Sequence, residues 1–166
     1  SPVLLSTLEL TDTSAVMVSE NAPDAVVRNS AARHLLLGSL YNATAVARRA
    51  AELATESVTI VCAGFRGQQD LDDSIAAAVI EAEVRRLGSP AERRGAAALA
   101  DSLLRAFPDP VDALWHSTAG RWLRQLEHAQ DIGLAGRVAV SEAVPERSDV
   151  ILTPAGGSLQ LFLNRG

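Results

Sequence analysis

The sequence predicts an α/β protein, a three-layer α/β/α arrangement around a mixed, largely parallel sheet. Three observations carry that expectation. Apolar runs of strand length alternate with Ala- and Arg-rich runs of helical spacing, and three such strand-helix units follow one another before residue 90. The chain then turns helical and closes on two strand-like runs around a glycine-rich turn. With 166 residues and 48 % hydrophobic side chains, it suits one domain over 1–166 that buries a real core.

The first unit pairs a short strand at Ala15–Ser19 with a helix from Asn21-Ala22-Pro23-Asp24 to about Ala32, Pro23 being tolerated in a first turn. The second pairs the run His34–Gly38 with a helix from Ala43 to Ala54, Asn42 standing at its N-cap position. The third pairs the β-branched run Val58–Cys62 with a long amphipathic helix from Leu71 to Leu87, ended by Gly88-Ser89-Pro90. Helical spacing resumes over Ala91–Phe107 and over Val111–Leu126, where Gly120 is the expected break. Arg137–Ser141 reads as a strand, and Val150–Thr153 with Leu159–Leu163 flank Pro154–Ser158 as a hairpin.

Composition excludes several function classes. All 15 basic residues are Arg, so a P-loop lysine, a Schiff-base lysine and any other catalytic lysine are absent, and Arg is the permanent cation available to phosphate or carboxylate. The net charge of -5 leaves no broad basic face for nucleic acid. No run of about 18 apolar residues is present to span a bilayer, and no basic-then-apolar start marks a signal peptide, so the expected compartment is the cytoplasm. A single cysteine forms neither an internal disulfide nor a zinc cluster with other cysteines, and no Gly-x-Ser-x-Gly elbow supports a serine hydrolase.

In open α/β sheets ligands bind beyond the carboxyl ends of the strands, which singles out two loops. Gly38–Thr44 leads into a helix whose free N–H groups could hold an anion beside Asn42, unless Asn42 serves as a cap. The second loop is denser: Cys62-Ala63-Gly64-Phe65-Arg66-Gly67, then Asp70, Asp72 and Asp73. Its glycines would let backbone approach a phosphate, Arg66 could contact the oxygens, and a carboxylate could hold Mg²⁺, which prefers hard oxygen ligands. The competing explanation is that the aspartates complement a helix dipole. Cys62 is either a nucleophile or a small packed side chain, and packing is expected. Of the three histidines, His34 and His128 read as structural or solvated, while His116 precedes a polar stretch.

Taken in order, Gly38–Ala47, then Val61-Cys62-Ala63-Gly64 with Leu71-Asp72-Asp73, then His116–Leu123 and Asp131-Ile132 resemble the 2-phosphosulfolactate phosphatase (ComB-like) family over roughly Ala15 to Pro145. The resemblance implies a three-layer fold and Mg²⁺-dependent hydrolysis of the phosphate monoester of a small sulfonated hydroxy acid. It would make Asp72 and Asp73 metal ligands and Asp73, Arg66 and Cys62 the candidate catalytic set. Asn21, Asn42 and Gly64 would line the substrate. Asn21 matches the family's Asn-Gly-Thr turn, although Ala22 and Pro23 replace its Gly and Thr, and the family's earlier acidic and Arg motif has no counterpart ahead of Ser1. Two expectations follow: the chain forms a homo-oligomer or pairs with a segment absent from it, and the rival to an enzyme is a non-catalytic homologue binding an anionic metabolite or a protein partner.

Overall fold

The computed structural model describes residues 1–10, 13, 19, 21–88, 92–152 and 158–164. In chain order these build α1 (Pro2–Leu5), α2 (Ala22–Arg28), α3 (Ala43–Leu53), α4 (Leu71–Arg86), α5 (Ala100–Ala106), α6 (Pro110–His116), α7 (Thr118–Gln125) and α8 (Gln130–Ala135), followed by β1 (Pro145–Leu152) and β2 (Ser158–Asn164). Two 3₁₀ turns, Leu40–Asn42 and Gly95–Leu99, lead into α3 and α5.

Helix α4 is central because its sequence favours a helix along its whole length. The Asp70 side chain caps it, Asp72 and Asp73 occupy its first turn and Arg85 and Arg86 its last, so charge complements the dipole at both ends. Gly88, with φ +85°, provides the left-handed step beyond the helix end. One side of α4 packs on α3 through Ile80 against Ala43, Val46 and Ala47, with Val144 closing the cluster. The other side sets Ile75 against Leu40, Ala113, Leu114 and Ile132. Ile75 is fully buried, and truncation to Ala would cost about 2–5 kcal/mol. Arg85 and Arg93 both reach Asp101, each at 2.7 Å, and Arg93 also meets Glu81 at 2.9 Å, which ties α4 to α5.

The described residues are mixed helix and strand, with one two-stranded antiparallel sheet; a layered parallel sheet is not among them. Ile151 pairs with Leu159, as the expected hairpin requires, while β1 begins at Pro145, opposite Asn164 and five residues ahead of the expected strand, and the register shifts between Arg147 and Asp149. The predicted strand His34–Gly38 is, among the described residues, reduced to one antiparallel bridge, Leu36 to Glu146, with the Leu37 N–H donating to the Pro145 carbonyl and the Arg147 N–H to the Leu35 carbonyl, each at 2.9 Å. The predicted strand Arg137–Ser141 is also irregular: Ala139, at φ +54°, and Val140 donate to the carbonyls of Leu40 and Tyr41. Val58–Cys62 is not assigned to a strand and has no ladder partner among the described residues, so Val58, Ile60 and Val61 are exposed. β-branched sequence extends a backbone, but a strand exists only where a second segment pairs with it. Residues 15–18 of the predicted strand Ala15–Ser19 lie outside the described residues, as does the turn at 153–157, whereas the predicted Ala91–Phe107 helix is α-helical only from Ala100, since residues 92–94 are irregular and Gly95, at φ +58°, opens a 3₁₀ turn instead.

Several helix bounds also differ. α2 ends at Arg28, where the Asn29 side chain donates to the Ala25 carbonyl at 2.8 Å and competes with helical bonding. The stretch Val111–Leu126 breaks at Ser117, not at Gly120. Ser117 is extended, and its hydroxyl accepts the Gly120 N–H at 2.8 Å, which caps α7. Gly120 is needed for close approach: a Cβ there would lie 1.8 Å from the Leu114 carbonyl oxygen.

Candidate active site

The start of α4 and the loop before it converge on a single cluster. The Asp73 carboxylate accepts the Gly64 N–H at 2.6 Å. Gly64 has φ +75°, and a Cβ there would lie 2.5 Å from the Gln68 carbonyl oxygen, so glycine is required by both backbone conformation and space. Phe65 and Gln68 exchange backbone bonds of 2.8 and 3.0 Å around Arg66 and Gly67, whose φ values of 51° and 78° suit a type I′ turn. The Asn21 side-chain oxygen accepts the Arg66 N–H at 3.2 Å, which joins the start of α2 to that turn.

Asp70 is buried and spends its carboxylate on three backbone donors: Leu71 at 2.8 Å, Thr118 at 2.9 Å and Ala119 at 3.1 Å. Burial pushes its carboxyl up, but these N–H bonds outweigh burial and hold it below the ordinary aspartate value. Asp72 has no such help for Oδ1, which is buried without a hydrogen-bond partner. Burial first, then repulsion from Asp73 and Asp70, pushes its carboxyl up to about 6. Burial also raises Asp73, against the bond from Gly64.

Asp72 and Asp73 open onto a cleft of about 220 Å³, faced by Gly38 and Ser39 on one side and by Ser117, Ala119 and Gly120 on the other. Asn42 supports this cleft from behind. Its amide nitrogen donates to the carbonyls of Leu37 and Ala143 at 3.1 and 2.9 Å, while its oxygen accepts from the Ser39 N–H at 2.8 Å. Both amide hydrogens are thus engaged by backbone, and the side chain turns back onto the 38–42 turn instead of capping α3. That turn presents Ser39 to the cleft.

Cys62, Gly64, Arg66, Asp72 and Asp73 therefore share one loop-and-helix start, which Asn21 meets from the start of α2, and Asn42 stands behind the opposite wall; of these Asp72 and Asp73 line the cleft, while Arg66 lines a hollow beside it. The Cys62 thiol tucks against the Asp73 carbonyl at 3.6 Å, and burial, then the charges of Asp73 and Asp72, raise its pKa and leave it mostly protonated at neutral pH. His116 turns its Nδ1 onto the Asp112 carbonyl at 2.7 Å, within its own helix, and His34 meets Glu146 at 3.3 Å. Ser39, Ser117 and the Asp70 tie escape a reading of single loops because the cleft joins turns far apart in sequence. A helix-capping signal at Ser117 and Gly120 was the one local clue.

Among the described residues, no group of three or more His, Cys, Asp or Glu side chains converges to hold a metal. What converges is a carboxylate pair, one oxygen of which is buried and unpartnered. That donor set fits a hard cation that takes one or two carboxylates and fills its remaining positions with water and phosphate oxygens.

Fold and cleft together define a mixed helix-and-strand protein with an acidic pocket where a helix begins. The family model for 2-phosphosulpholactate phosphatase matches residues 1–149, and the chain belongs to that family. It is 46 % identical over 114 residues to a protein of Thermus thermophilus named "Probable 2-phosphosulfolactate phosphatase", a match covering 69 % of this chain and 48 % of that one. It is 36 % identical over 157 residues to a protein of the same name from Deinococcus radiodurans, covering 94 % of this chain and 65 % of that one. The chain thus spans about half to two-thirds of the length of these relatives. No described helix is long and apolar enough to cross a membrane.

Proposed function

We propose that this chain carries the acidic half of a phosphatase site that hydrolyses 2-phosphosulfolactate or a similar small phosphorylated hydroxy acid. The observation that supports it most is the buried, unpartnered Asp72 oxygen beside Asp73, facing a cleft edged by Ser39 and by the first turn of α7. An unsatisfied carboxylate oxygen costs stability, and a site that keeps one is expected to use it. Asp72 and Asp73 would hold Mg²⁺, which when bound neutralises charge on the phosphoryl oxygens.

The chain's own residues would do the rest. Ser39 and the Ser117–Gly120 turn shape the cleft around the phosphate, and the Gly64 N–H holds Asp73 in place. Arg66, carried on the tight turn that Asn21 pins, lines the hollow that adjoins the cleft and from there would offer a cation to a phosphoryl group whose charge spreads over its oxygens. Water adds to phosphorus as the P–O ester bond breaks, and the alkoxide leaves with a proton as the hydroxy acid. Cys62, which is exposed and not packed in a core as its sequence suggests, takes no part.

The family reading also proposes a cytoplasmic, layered α/β/α protein in which the Val58–Cys62 segment is a paired strand, covered by a second copy of the chain or by a segment beyond it. Light scattering behind size-exclusion chromatography tests this; a monodisperse monomer with no added segment would refute the association. The activity itself is tested by phosphate release from 2-phosphosulfolactate with Mg²⁺ and with EDTA. Release only with Mg²⁺ is expected, and no release in either would overturn the proposal.

A further inference from the structure

Beside the acidic cleft lies a second hollow of about 230 Å³, walled by Phe65, Arg66, Thr118, Arg121, Trp122 and Gln125. It adjoins the cleft across the first turn of α7, since Thr118 lines one and Ala119 and Gly120 line the other. Two guanidinium groups face it without a carboxylate partner among the described residues. Arg66 lies over the Phe65 ring, 5.3 Å from its centre. Arg121 donates to the His116 carbonyl at 2.9 Å and to the Thr118 hydroxyl at 3.1 Å, both neutral oxygens that fix the group without neutralising it. Donors remain over on its fork.

The other described arginines fall into two groups. Arg48, Arg49, Arg85, Arg86, Arg93 and Arg94 are each paired with Glu or Asp. Arg28, Arg33, Arg105, Arg124, Arg137 and Arg147, like Arg66 and Arg121, have no carboxylate partner among the described residues, and what sets Arg66 and Arg121 apart is that both line one hollow. The floor is apolar: Phe65 meets Trp122 edge to face, with centres 6.1 Å apart. Arg66 also occupies a left-handed position that Asn or Gly fills at lower cost, and strain of this kind gathers where a side chain has a task.

We propose that this hollow is a second anion subsite, taking the carboxylate or sulfonate end of a substrate whose phosphate lies in the acidic cleft, with Arg121 as the specificity-determining residue. The inference rests on the phosphatase reading for the identity of that substrate but not for the existence of the subsite. Arg121 offers a planar fork for an oxyanion and lies outside the carboxylate pair, so it selects substrates by their second acid group without taking part in the chemistry.

The test has a binding arm and a kinetic arm, at fixed ionic strength. In the first, the chain is titrated with 3-sulfolactate and, for comparison, with lactate, and tryptophan fluorescence is read; Trp122→Phe assigns the signal. The expected result is a saturable change with 3-sulfolactate that weakens at least tenfold in Arg121→Gln and less in Arg121→Lys, while lactate binds weakly and equally to all. No saturable change in the wild-type chain, or equal binding by Arg121→Gln, overturns the subsite. In the second arm, Arg121→Gln should raise KM for 2-phosphosulfolactate at least tenfold and leave KM for ethyl phosphate, which lacks a second acid, unchanged. Equal effects on both substrates, or none on either, also overturn it. Arg121-dependent binding without phosphate release from any substrate would sustain the subsite and sink the phosphatase reading.

Discussion

Asp70 accepts the backbone N–H of Thr118 at 2.9 Å, a contact across 48 residues that fastens the start of α4 to the start of α7. Because Asp72 and Asp73 stand at the first of those helix ends and the Ser117–Gly120 wall at the second, this carboxylate fixes the acidic pair against that wall of the cleft while standing behind it. Its negative charge also helps to push Asp72 up, so it is coupled to the site electrostatically as well as sterically.

Asp70→Ala strands the N–H groups of the half-buried Thr118 and Ala119 and removes the α4 cap. Urea unfolding should show a loss of about 2–4 kcal/mol, with Asp70→Asn losing less. An Asp70→Ala chain as stable as the wild type would show that the tie does not hold the helices.

Asp72 has the opposite sign. Its buried, unpartnered oxygen and its repulsion from Asp73 oppose folding when the carboxylate is charged, so Asp72→Asn should raise the melting temperature at pH 8 in EDTA. The same variant should lose activity, the trade expected where a site keeps unfavourable charge for function. A lower melting temperature under those conditions would contradict this account of Asp72.

Arg66→Asn places Asn-Gly in the type I′ turn, the pair best suited to two left-handed residues. The gain should be up to about 1 kcal/mol by denaturation midpoint. Destabilisation would mean that the Arg66 stack on Phe65 outweighs the backbone strain.

Glu146 gives a pH signature remote from the cleft. The hydrogen bond from Arg49, at 2.9 Å, holds its carboxyl below the ordinary glutamate value against the opposing effect of burial, with a further contact from His34. A lowered folded pKa means that the unfolded chain binds the proton more readily. The contribution is complete above about pH 4.3 and is lost as pH falls through the folded value. The stability difference between wild type and Glu146→Gln should therefore be present at pH 7 and shrink below pH 4, which thermal melts across that range will show.

The local grammar of the fold was legible in the sequence. Asn42-Ala43 and Asp70-Leu71 mark the starts of α3 and α4, Gly88 marks the end of α4, and the terminal hairpin follows from its flanking apolar runs. The dense loop from Cys62 to Asp73 was also readable as one cluster, because its residues are neighbours in the chain. The pairing of extended segments was not, since Val58–Cys62 has the composition of a strand whatever stands beside it. Asn42 shows a second limit: its position predicts a cap, while its orientation depends on the Ala143 carbonyl, 101 residues away. Ser117 took the break assigned to Gly120 because a capping hydroxyl can end one helix and start the next, whereas Gly120 is fixed by contact with Leu114.

The central claim concerns the carboxylate pair, and the most direct measurement is steady-state phosphate release from 2-phosphosulfolactate by the wild type, Asp72→Asn, Asp73→Asn and Cys62→Ser, each with Mg²⁺ and with EDTA. The account predicts Mg²⁺-dependent release by the wild type, nearly the same rate from Cys62→Ser, and a fall of at least about a hundredfold in Asp73→Asn, about 2.7 kcal/mol of barrier. Intact, Mg²⁺-dependent rates in both aspartate variants would contradict it.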